Sequence, residues 1–381
     1  MEKIYYLDNA ATTKVFDEEY DLMRQNNDEL FYNPSASYKP AIKAKNKLNE
    51  ARDCLTKLLG GTNGKLYFTS SATESNNTIF QGVHIRPGQE VLISAGEHPC
   101  VYNSSKRLVQ KGLIVKEIPL DEFGKVDYEK YVSMLNKNVA FISVIHVSNE
   151  TGAINDIKKL CSAAKAVNPD VVFHSDGVQA FGKIAVNLRD LGVDAYTISA
   201  HKIYAPRGIA GLWIKSKVNV YPLLVGGGQE DDFRSSTENV SGAIAFAYAA
   251  NKVVNELDKN LKYVQNLKNE LIFKLKNSKI ANFIKINSAE NASPYILSVS
   301  FPGIKGEVLL GALEANGVFI STGSACSSKK AGNRILEACG HSLEEIVGSV
   351  RISFSAYEEV DLDYVACSFE KNVLRLEKNV L

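Results

Sequence analysis

The sequence lacks the features that mark membrane, secreted and disulfide-bonded proteins. No apolar run approaches the roughly 18 residues that a membrane-spanning helix requires, and the opening residues Met1-Glu2-Lys3-Ile4 carry no signal-peptide core. The six cysteines are scattered without a Cys-x-x-Cys pair, so neither a zinc site nor a disulfide framework is indicated. We therefore expect a protein of the reducing cytoplasm that has no metal site.

The sequence also lacks a charge bias. It carries 44 basic and 43 acidic residues, for a formal net charge of +1. This balance argues against a nucleic acid or a membrane surface as the main partner. The length of 381 residues, 45% of them hydrophobic, predicts two or three domains with ample core.

Strand-like and helix-like segments alternate up to about residue 215, which favours a mainly parallel sheet with covering helices. A long amphipathic helix is then predicted over residues 243–276. We expect it to lead from a large domain (13–250) into a smaller α+β domain (1–12 and 251–381). Predicted strands span residues 90–95, 114–118, 139–147, 171–174, 209–214, 296–301 and 349–353, and predicted helices of the smaller domain span 305–316 and 361–377.

Lys202 stands where the apolar segment Asp194–Ile198 gives way to small residues and a histidine. An amine held at the end of a buried strand is suited to form a Schiff base, because burial disfavours the charged form and lowers its pKa. Taken alone, a lysine after an apolar run is more typical of a surface residue whose amine reaches solvent. Two other segments change that interpretation.

The first segment ends in Asp176, which follows the apolar run Val171-Val172-Phe173. Open α/β sheets bind ligands at the carboxyl ends of their strands, and a carboxylate there can pair with the protonated ring nitrogen of pyridoxal phosphate (PLP). A helix cap or turn is the alternative. The second segment, Thr69–Asn77, is a hydroxyl-rich helix start suited to a phosphate. It lacks the Gly-Lys-Ser/Thr ending of nucleoside triphosphate loops.

A phosphate cradle, an acidic ring partner and a Schiff-base lysine, in that order, resemble the cysteine desulfurases of the class V aminotransferase group. The resemblance implies an α/β fold-type I PLP-dependent transferase with a large, mainly parallel domain and a smaller α+β domain. No single segment is specific to this family, whereas the whole series of segments in this order is specific to it. The segments are Tyr6–Thr13, Thr69–Asn77, Glu97–Pro99, His146–Gly152, Asp176–Gln179, Ser199–Tyr204, Arg234–Asn239, Ser321–Cys326 and Val350–Ser353.

The resemblance also implies roles for individual residues. Lys202 would hold PLP and take the α-proton of the substrate, and His98 would stack on the ring. Asn149 and Arg351 would bind the carboxylate of L-cysteine, since an arginine can hold a carboxylate through two parallel bonds. The implied cofactor-binding residues are Ala72, Thr73, His98, Asn149, Asp176, Gln179, Ser199, His201, Lys202 and Thr237. Thr237 would reach PLP from a second subunit, which implies a homodimer.

Cys326 lies in a run of small residues, Ser321–Ser328. Such a loop buries little, so its thiol is expected to be exposed and reactive. The other five cysteines have larger neighbours or lie in segments with a regular hydrophobic pattern, and their thiols are expected to be buried and unreactive. By resemblance, Cys326 takes sulfur from L-cysteine as a persulfide, leaves L-alanine, and passes the sulfur to a protein acceptor in iron–sulfur cluster assembly or tRNA thiolation. The loop is similar to the flexible type, which needs no dedicated activator.

Several residues depart from the usual family pattern. Ser71, Ala205 and Ser236 stand where glycine is common, Ser148 where asparagine is common, and Tyr38 where histidine is frequent. A side chain in place of glycine can shift a turn, but no chemical group that the reaction needs is lost. Two alternatives stay open: a selenocysteine lyase or related β-eliminating enzyme, and a weakly active PLP-binding scaffold that docks a sulfur acceptor.

Overall fold

The computed structural model describes residues 4–323 and 333–377. In that part of the chain the strands form sheets of seven, three and two strands. One large apolar core packs against one face of the seven-stranded sheet and a smaller cluster packs against its other face, whereas a second large core packs against the three-stranded sheet. No helix of the described residues is both long enough and apolar enough to cross a membrane.

The seven-stranded sheet has the order β2-β8-β7-β6-β5-β3-β4. Neighbours from β7 to β4 are parallel, and β8 is antiparallel to both β7 and β2. β2 and β7 therefore point the same way, and every strand except β8 ends at one edge. The mainly parallel sheet that the sequence predicts is confirmed. Its strands are β2 (Gly64–Thr69), β3 (Glu90–Ser94), β4 (Ile114–Ile118), β5 (Val139–Ser143), β6 (Val172–Asp176), β7 (Ala195–Ser199) and β8 (Ala210–Lys215).

Helices cover the seven-stranded sheet because its central strands are apolar on both faces. All five residues of β7 are buried. Ser71, Asp127 and Asp156 each accept a hydrogen bond from a backbone N–H of the helix that follows, which fixes where these helices begin. The helices of this part are α1 (Asp17–Glu29), α2 (Lys39–Leu58), α3 (Ala72–Gly82), α4 (Pro99–Gln110), α5 (Tyr128–Met134), α6 (Ile157–Val167) and α7 (Leu188–Leu191).

The single long helix predicted over residues 243–276 is wrong. The chain forms two helices, α8 (Val240–Asn255) and α9 (Leu257–Lys276), separated at Glu256. The apolar side of α8, including Phe246 and Val253, belongs to the core of the large sheet, whereas Val264 and Leu271 of α9 belong to the other core. Each helix thus buries its apolar face in a different core.

The remaining elements surround the second core. The first strand, β1 (Tyr5–Tyr6), pairs with β11 of this region, and Leu7 is fully buried there. The N-terminal residues therefore do not extend the large sheet. The other elements are β9 (Lys285–Ile286), β10 (Ile296–Ser300), β11 (Val318–Phe319), β12 (Ser349–Ser353), α10 (Gly306–Glu314), α11 (Arg334–Ala338), α12 (Leu343–Val347) and α13 (Leu362–Glu377). The domain limits 13–250 and 251–381 stay a prediction.

The predicted strand over residues 139–147 is too long. β5 ends at Ser143, although the backbone N–H groups of Val144 and His146 still donate to β6 carbonyls. The chain then folds back on itself, and Val147 pairs with Ile154 in an isolated antiparallel bridge. Residues 148–152 consequently lie in a turn at the edge where the parallel strands end, rather than in the sheet.

Candidate active site

The candidate residues meet at the edge where the parallel strands end. Asp176 and Ser199 are the last residues of β6 and β7, and His98 lies four residues beyond the end of β3. A cavity of about 320 Å³ opens there. Of the residues implied by sequence, those lining it are Ala72, Thr73, His98, Asn149, Asp176, Gln179, His201, Lys202 and Arg351.

Asp176 is buried in the floor of this cavity, with 3% of its surface exposed. Its Oδ1 accepts a 3.0 Å hydrogen bond from the backbone N–H of Val178, and its Oδ2 accepts a 2.7 Å bond from the side-chain amide of Asn76. Both bonds hold the carboxyl group of Asp176 in a fixed orientation. Neither partner is a cation, so the carboxylate is suited to pair with a protonated ring nitrogen.

Lys202 ends a short 3₁₀ turn, Ala200–Lys202, that follows β7. Its Nζ donates 2.6 Å hydrogen bonds to the backbone carbonyls of Ala10 and Ala11. The N-terminal segment thus forms one wall of the cavity. Lys202 is partly rather than fully buried, so the deep burial expected from its apolar neighbours is not found.

His98 is the N-cap residue of α4. Its Nδ1 accepts a 3.2 Å hydrogen bond from the backbone N–H of Cys100, so in the neutral ring we assign the proton to Nε2. Burial lowers the pKa of His98 and keeps the ring neutral at physiological pH. The ring therefore presents an N–H donor on the side away from its own helix.

Two residues that sequence reasoning missed connect His98 to Asp176. The Sγ atom of Cys100 lies 3.0 Å from His98 Nδ1 and accepts a 3.2 Å hydrogen bond from Asn76, which also donates to Asp176. Burial, reinforced by the charge of Asp176, raises the pKa of Cys100 to about 12, so it stays a thiol. Helical spacing was the available signal for Asn76, since it lies one turn beyond Thr73 in α3.

Some polar atoms of the candidate site are buried without a hydrogen-bond partner among the described residues. Asn149 Oδ1 is one of them and belongs to a residue that lines the cavity; Ser199 Oγ is another, although Ser199 is not among the lining residues. Buried polar atoms normally have partners, so Asn149 Oδ1 fits a bound polar group. Thr73 in the first turn of α3 and His201, whose Nδ1 lies 3.1 Å from Thr12 Oγ1, add groups suited to a phosphate. The residues present therefore fit PLP.

Thr237 does not line this cavity. It lines a separate one of about 170 Å³, together with Thr69, Ser70 and Arg234. Arg234 is held by a two-point ion pair with Glu74 of α3, with its Nε 2.7 Å from Oε1. Within one chain, then, Thr237 is apart from the other cofactor candidates.

Two of the positions that depart from the family pattern form local hydrogen bonds. The Ser71 side chain caps α3, and Ser148 Oγ accepts hydrogen bonds from the N–H groups of Glu150 and Thr151. Ala205 is fully buried. Ser236 has a φ of 141°, in the region that favours glycine, so this serine carries backbone strain next to Thr237.

Arg351 lies in the middle of β12. Its Nη2 lies 2.8 Å from Asp8 Oδ1, and its Nη1 donates a 2.9 Å hydrogen bond to the carbonyl of Asn149. Its Nε is buried and has no hydrogen-bond partner in the described part of the chain. The guanidinium is therefore held rigidly at the cavity wall, with a donor left for a small anion.

The cysteines differ in exposure from the expectation. Cys326 lies outside the described residues. Cys161 and Cys339 are buried as expected, but Cys54 and Cys100 are only partly buried, and Cys367 is exposed. The expectation of a buried Cys367 is wrong because it lies on the outward side of α13, between the buried Ala366 and Ser368.

The fold and the cavity together define a fold-type I enzyme, in which a lysine, an aspartate and a histidine converge at one edge of a mainly parallel sheet. The chain belongs to the aminotransferase class-V family, whose model matches residues 5–364. It is 34% identical to cysteine desulfurase IscS of Dictyoglomus turgidum, over 99% of this chain and 96% of that protein. It is also 34% identical to cysteine desulfurase IscS 1 of Archaeoglobus fulgidus, over 93% and 94%.

A solved structure agrees with these sequence relatives. A NifS-like protein superposes with a TM-score of 0.90 at 31% identity, covering 99% of this chain and all of that one. The similarity extends over both cores, so it includes the cavity as well as the sheet. These relatives imply a cysteine desulfurase that uses PLP.

Proposed function

We propose that this chain removes sulfur from L-cysteine, with PLP in the cavity at the strand ends, and that Cys326 receives the sulfur. The observation that carries the proposal is that Lys202, Asp176, His98 and Arg351 line one cavity although they come from distant parts of the sequence. PLP, when bound, supplies an electron-accepting ring that favours cleavage of bonds at Cα and Cβ of an amino acid.

Different residues of the chain would bind the ring of PLP, its phosphate and the carboxylate of the substrate. Asp176 would hold the ring nitrogen, Lys202 the aldehyde carbon, and Gln179 the ring oxygen. The phosphate would lie against Thr73, Ser199 and His201, with Thr237 contributed by the second subunit of a homodimer. Asn149 and Arg351 would hold the carboxylate of L-cysteine. His98, neutral and protonated on Nε2, would contact the ring and handle protons.

In the sulfur step, the sulfur of Cys326 attacks the sulfur of the substrate and displaces the substrate carbon. Lys202 takes the Cα proton of the substrate. The thiolate of Cys326 attacks the substrate sulfur, so that an S–S bond forms and the Cβ–S bond breaks. The electron pair of the broken bond goes to Cβ of the substrate, which takes a proton, and Lys202 returns the proton to Cα to give L-alanine. Cys326 keeps a persulfide for a protein acceptor in iron–sulfur cluster assembly or tRNA thiolation.

Replacement of Cys326 by serine tests this proposal in the PLP-loaded enzyme. We expect Cys326→Ser to keep the PLP absorbance but to lose persulfide formation and nearly all alanine production. Cys367→Ser is the matched control, since Cys367 is exposed and lies outside the cavity, and it should behave as wild type. Normal persulfide formation by Cys326→Ser would overturn the proposal. A preference for L-selenocysteine over L-cysteine would favour a selenocysteine lyase instead.

A further inference from the structure

The buried carboxylate of Glu150 contacts both residues that flank the segment 324–332. Its Oε2 accepts a 3.0 Å hydrogen bond from the side-chain amide of Asn333. On the other flank, a Cβ added to Gly323 would lie 2.5 Å from the same oxygen, so only glycine allows this approach. Glu150 itself is 2% exposed.

The other oxygen of Glu150 faces the residues proposed to bind the substrate carboxylate. Oε1 accepts a 2.8 Å hydrogen bond from Asn149 and lies 3.5 Å from Nη1 of Arg351. The backbone reinforces this connection, because Arg351 and Ser321 exchange N–H···O bonds of 2.6 and 3.1 Å. One side chain thus joins the substrate-binding arginine to the base of the segment that contains Cys326.

Donor and acceptor chemistry explains why a carboxylate stands here. Both oxygens face donors: Asn333 on one side, and Asn149 with Arg351 on the other. A glutamine has only one acceptor oxygen. The charge of Arg351 favours a glutamine oxygen on its own side. The glutamine N–H₂ would then face the N–H₂ of Asn333, so two donors would meet.

We propose that Glu150 is a positioning residue for the sulfur step: it holds Gly323 and Asn333 at a set position relative to Arg351, and so sets where the thiol of Cys326 meets the bound substrate. This inference rests on the proposed persulfide role of Cys326. A misplacement of about 1 Å at a reacting centre can slow a reaction by about 100-fold.

An exchange of donor and acceptor tests the contact in the PLP-loaded enzyme. In Asn333→Asp, the Asp keeps the α11 cap, in which Asn333 Oδ1 now accepts from Ile335 and Leu336, but a carboxylate then faces Glu150. We expect Glu150→Gln and Asn333→Asp each to slow persulfide formation on Cys326 by roughly 10- to 100-fold. The double variant restores a donor–acceptor pair with reversed polarity and should recover most of the rate.

Two controls separate positioning from damage to the cavity. Elimination from 3-chloro-L-alanine needs no thiol acceptor, so Asn333→Asp should leave its rate within about twofold of wild type. Asn187→Asp changes another N-cap residue, on α7, and should leave both reactions unchanged. Wild-type persulfide rates in the single variants, no recovery in the double variant, or an equal loss of elimination would overturn the inference. Absence of persulfide on Cys326 in the wild-type enzyme would instead overturn the proposed function.

Discussion

The ammonium Nζ of Lys183 donates a 2.7 Å hydrogen bond to the side-chain carbonyl of Gln179. The Gln179 amide nitrogen in turn donates a 2.8 Å bond to the carbonyl of Ala10. The ammonium form of Lys183 can only donate, so in that form it fixes which end of the Gln179 amide faces it. Burial, with smaller effects from Lys202 and Arg351, lowers the pKa of Lys183 to about 7.

Replacing Lys183 by methionine should therefore weaken PLP binding. The Gln179 amide loses the partner that orients it, and we expect a loss of about 1 kcal/mol, the usual worth of one buried hydrogen bond. PLP titration followed by absorbance measures the change. Lys268→Met is the matched control, because Lys268 is similarly buried but its one hydrogen bond within residues 4–323 and 333–377 goes to the carbonyl of Ser293, outside the cavity. Equal PLP affinity in both variants would contradict the prediction.

Replacing Lys202 by alanine should abolish covalent attachment of PLP. Wild-type protein treated with PLP and borohydride should give a stable adduct on the peptide that contains Lys202, detected by mass spectrometry. Lys183→Met, at saturating PLP, should still give the adduct, since Lys183 bonds Gln179 and does not line the cavity. An adduct on another lysine in the Lys202→Ala variant would show that the assignment is wrong.

A Thr237 variant and a Lys202 variant should complement each other when one of each forms a mixed dimer. Thr237 lies outside the main cavity of its own chain, so we predict that it serves the partner's site in a homodimer. Thr237→Val should weaken PLP binding by roughly 1.5–3 kcal/mol, the worth of a hydrogen bond to a charged group. At limiting PLP, mixing Lys202→Ala with Thr237→Val should restore part of the activity, because both defects can fall on one site. An active monomer, or no rescue after proven subunit exchange, counts against this arrangement.

The cysteines should react in the order of their exposure and thiolate content. Burial raises the pKa of Cys100 and Cys339 to about 12 and that of Cys161 to about 11. At pH 8 these thiols are almost wholly protonated and should resist iodoacetamide. The exposed Cys367 should be modified first among the described cysteines. Peptide mapping against time measures the order, and rapid labelling of Cys100 would contradict it.

Glu19 should make the folded state less stable as pH rises. Its carboxyl oxygens are buried without partners among the described residues, and burial raises its pKa from 4.5 to about 8. Below pH 4.5 both the folded and unfolded states are protonated. Between pH 4.5 and 8 only the folded state holds the proton on Glu19. The free energy of unfolding therefore decreases as pH increases through this range.

Replacing Glu19 by glutamine removes this titration. The stability advantage of Glu19→Gln over wild type should grow between pH 5 and pH 8, by roughly 1–3 kcal/mol, the cost of a buried polar group without a partner. Urea unfolding at several pH values measures it. Glu29→Gln is the matched control, because Glu29 ends the same helix, is exposed and pairs with Lys43. An advantage independent of pH would show that Glu19 is not the titrating group.

Much of this protein follows from local sequence. Alternating segments predict the mainly parallel sheet because buried strands need apolar residues on both faces, and strand ends place Asp176 and Ser199 at the edge where such sheets bind ligands. The order of motifs from Tyr6 to Arg351 is sufficient to identify the family. These features depend on residue type and spacing, which the chain carries before it folds.

Other features depend on which distant residues become neighbours. The break at Glu256, the Asn76–Cys100 connection between Asp176 and His98, and the lowered pKa of Lys183 depend on packing between elements far apart in sequence. Glu150 meets Asn333 across 183 positions. A carboxylate at residue 150 is visible in the sequence, but its contacts with Asn333 and Arg351 and its burial exist only once distant parts of the chain pack together, so only the tertiary structure decided what it contacts.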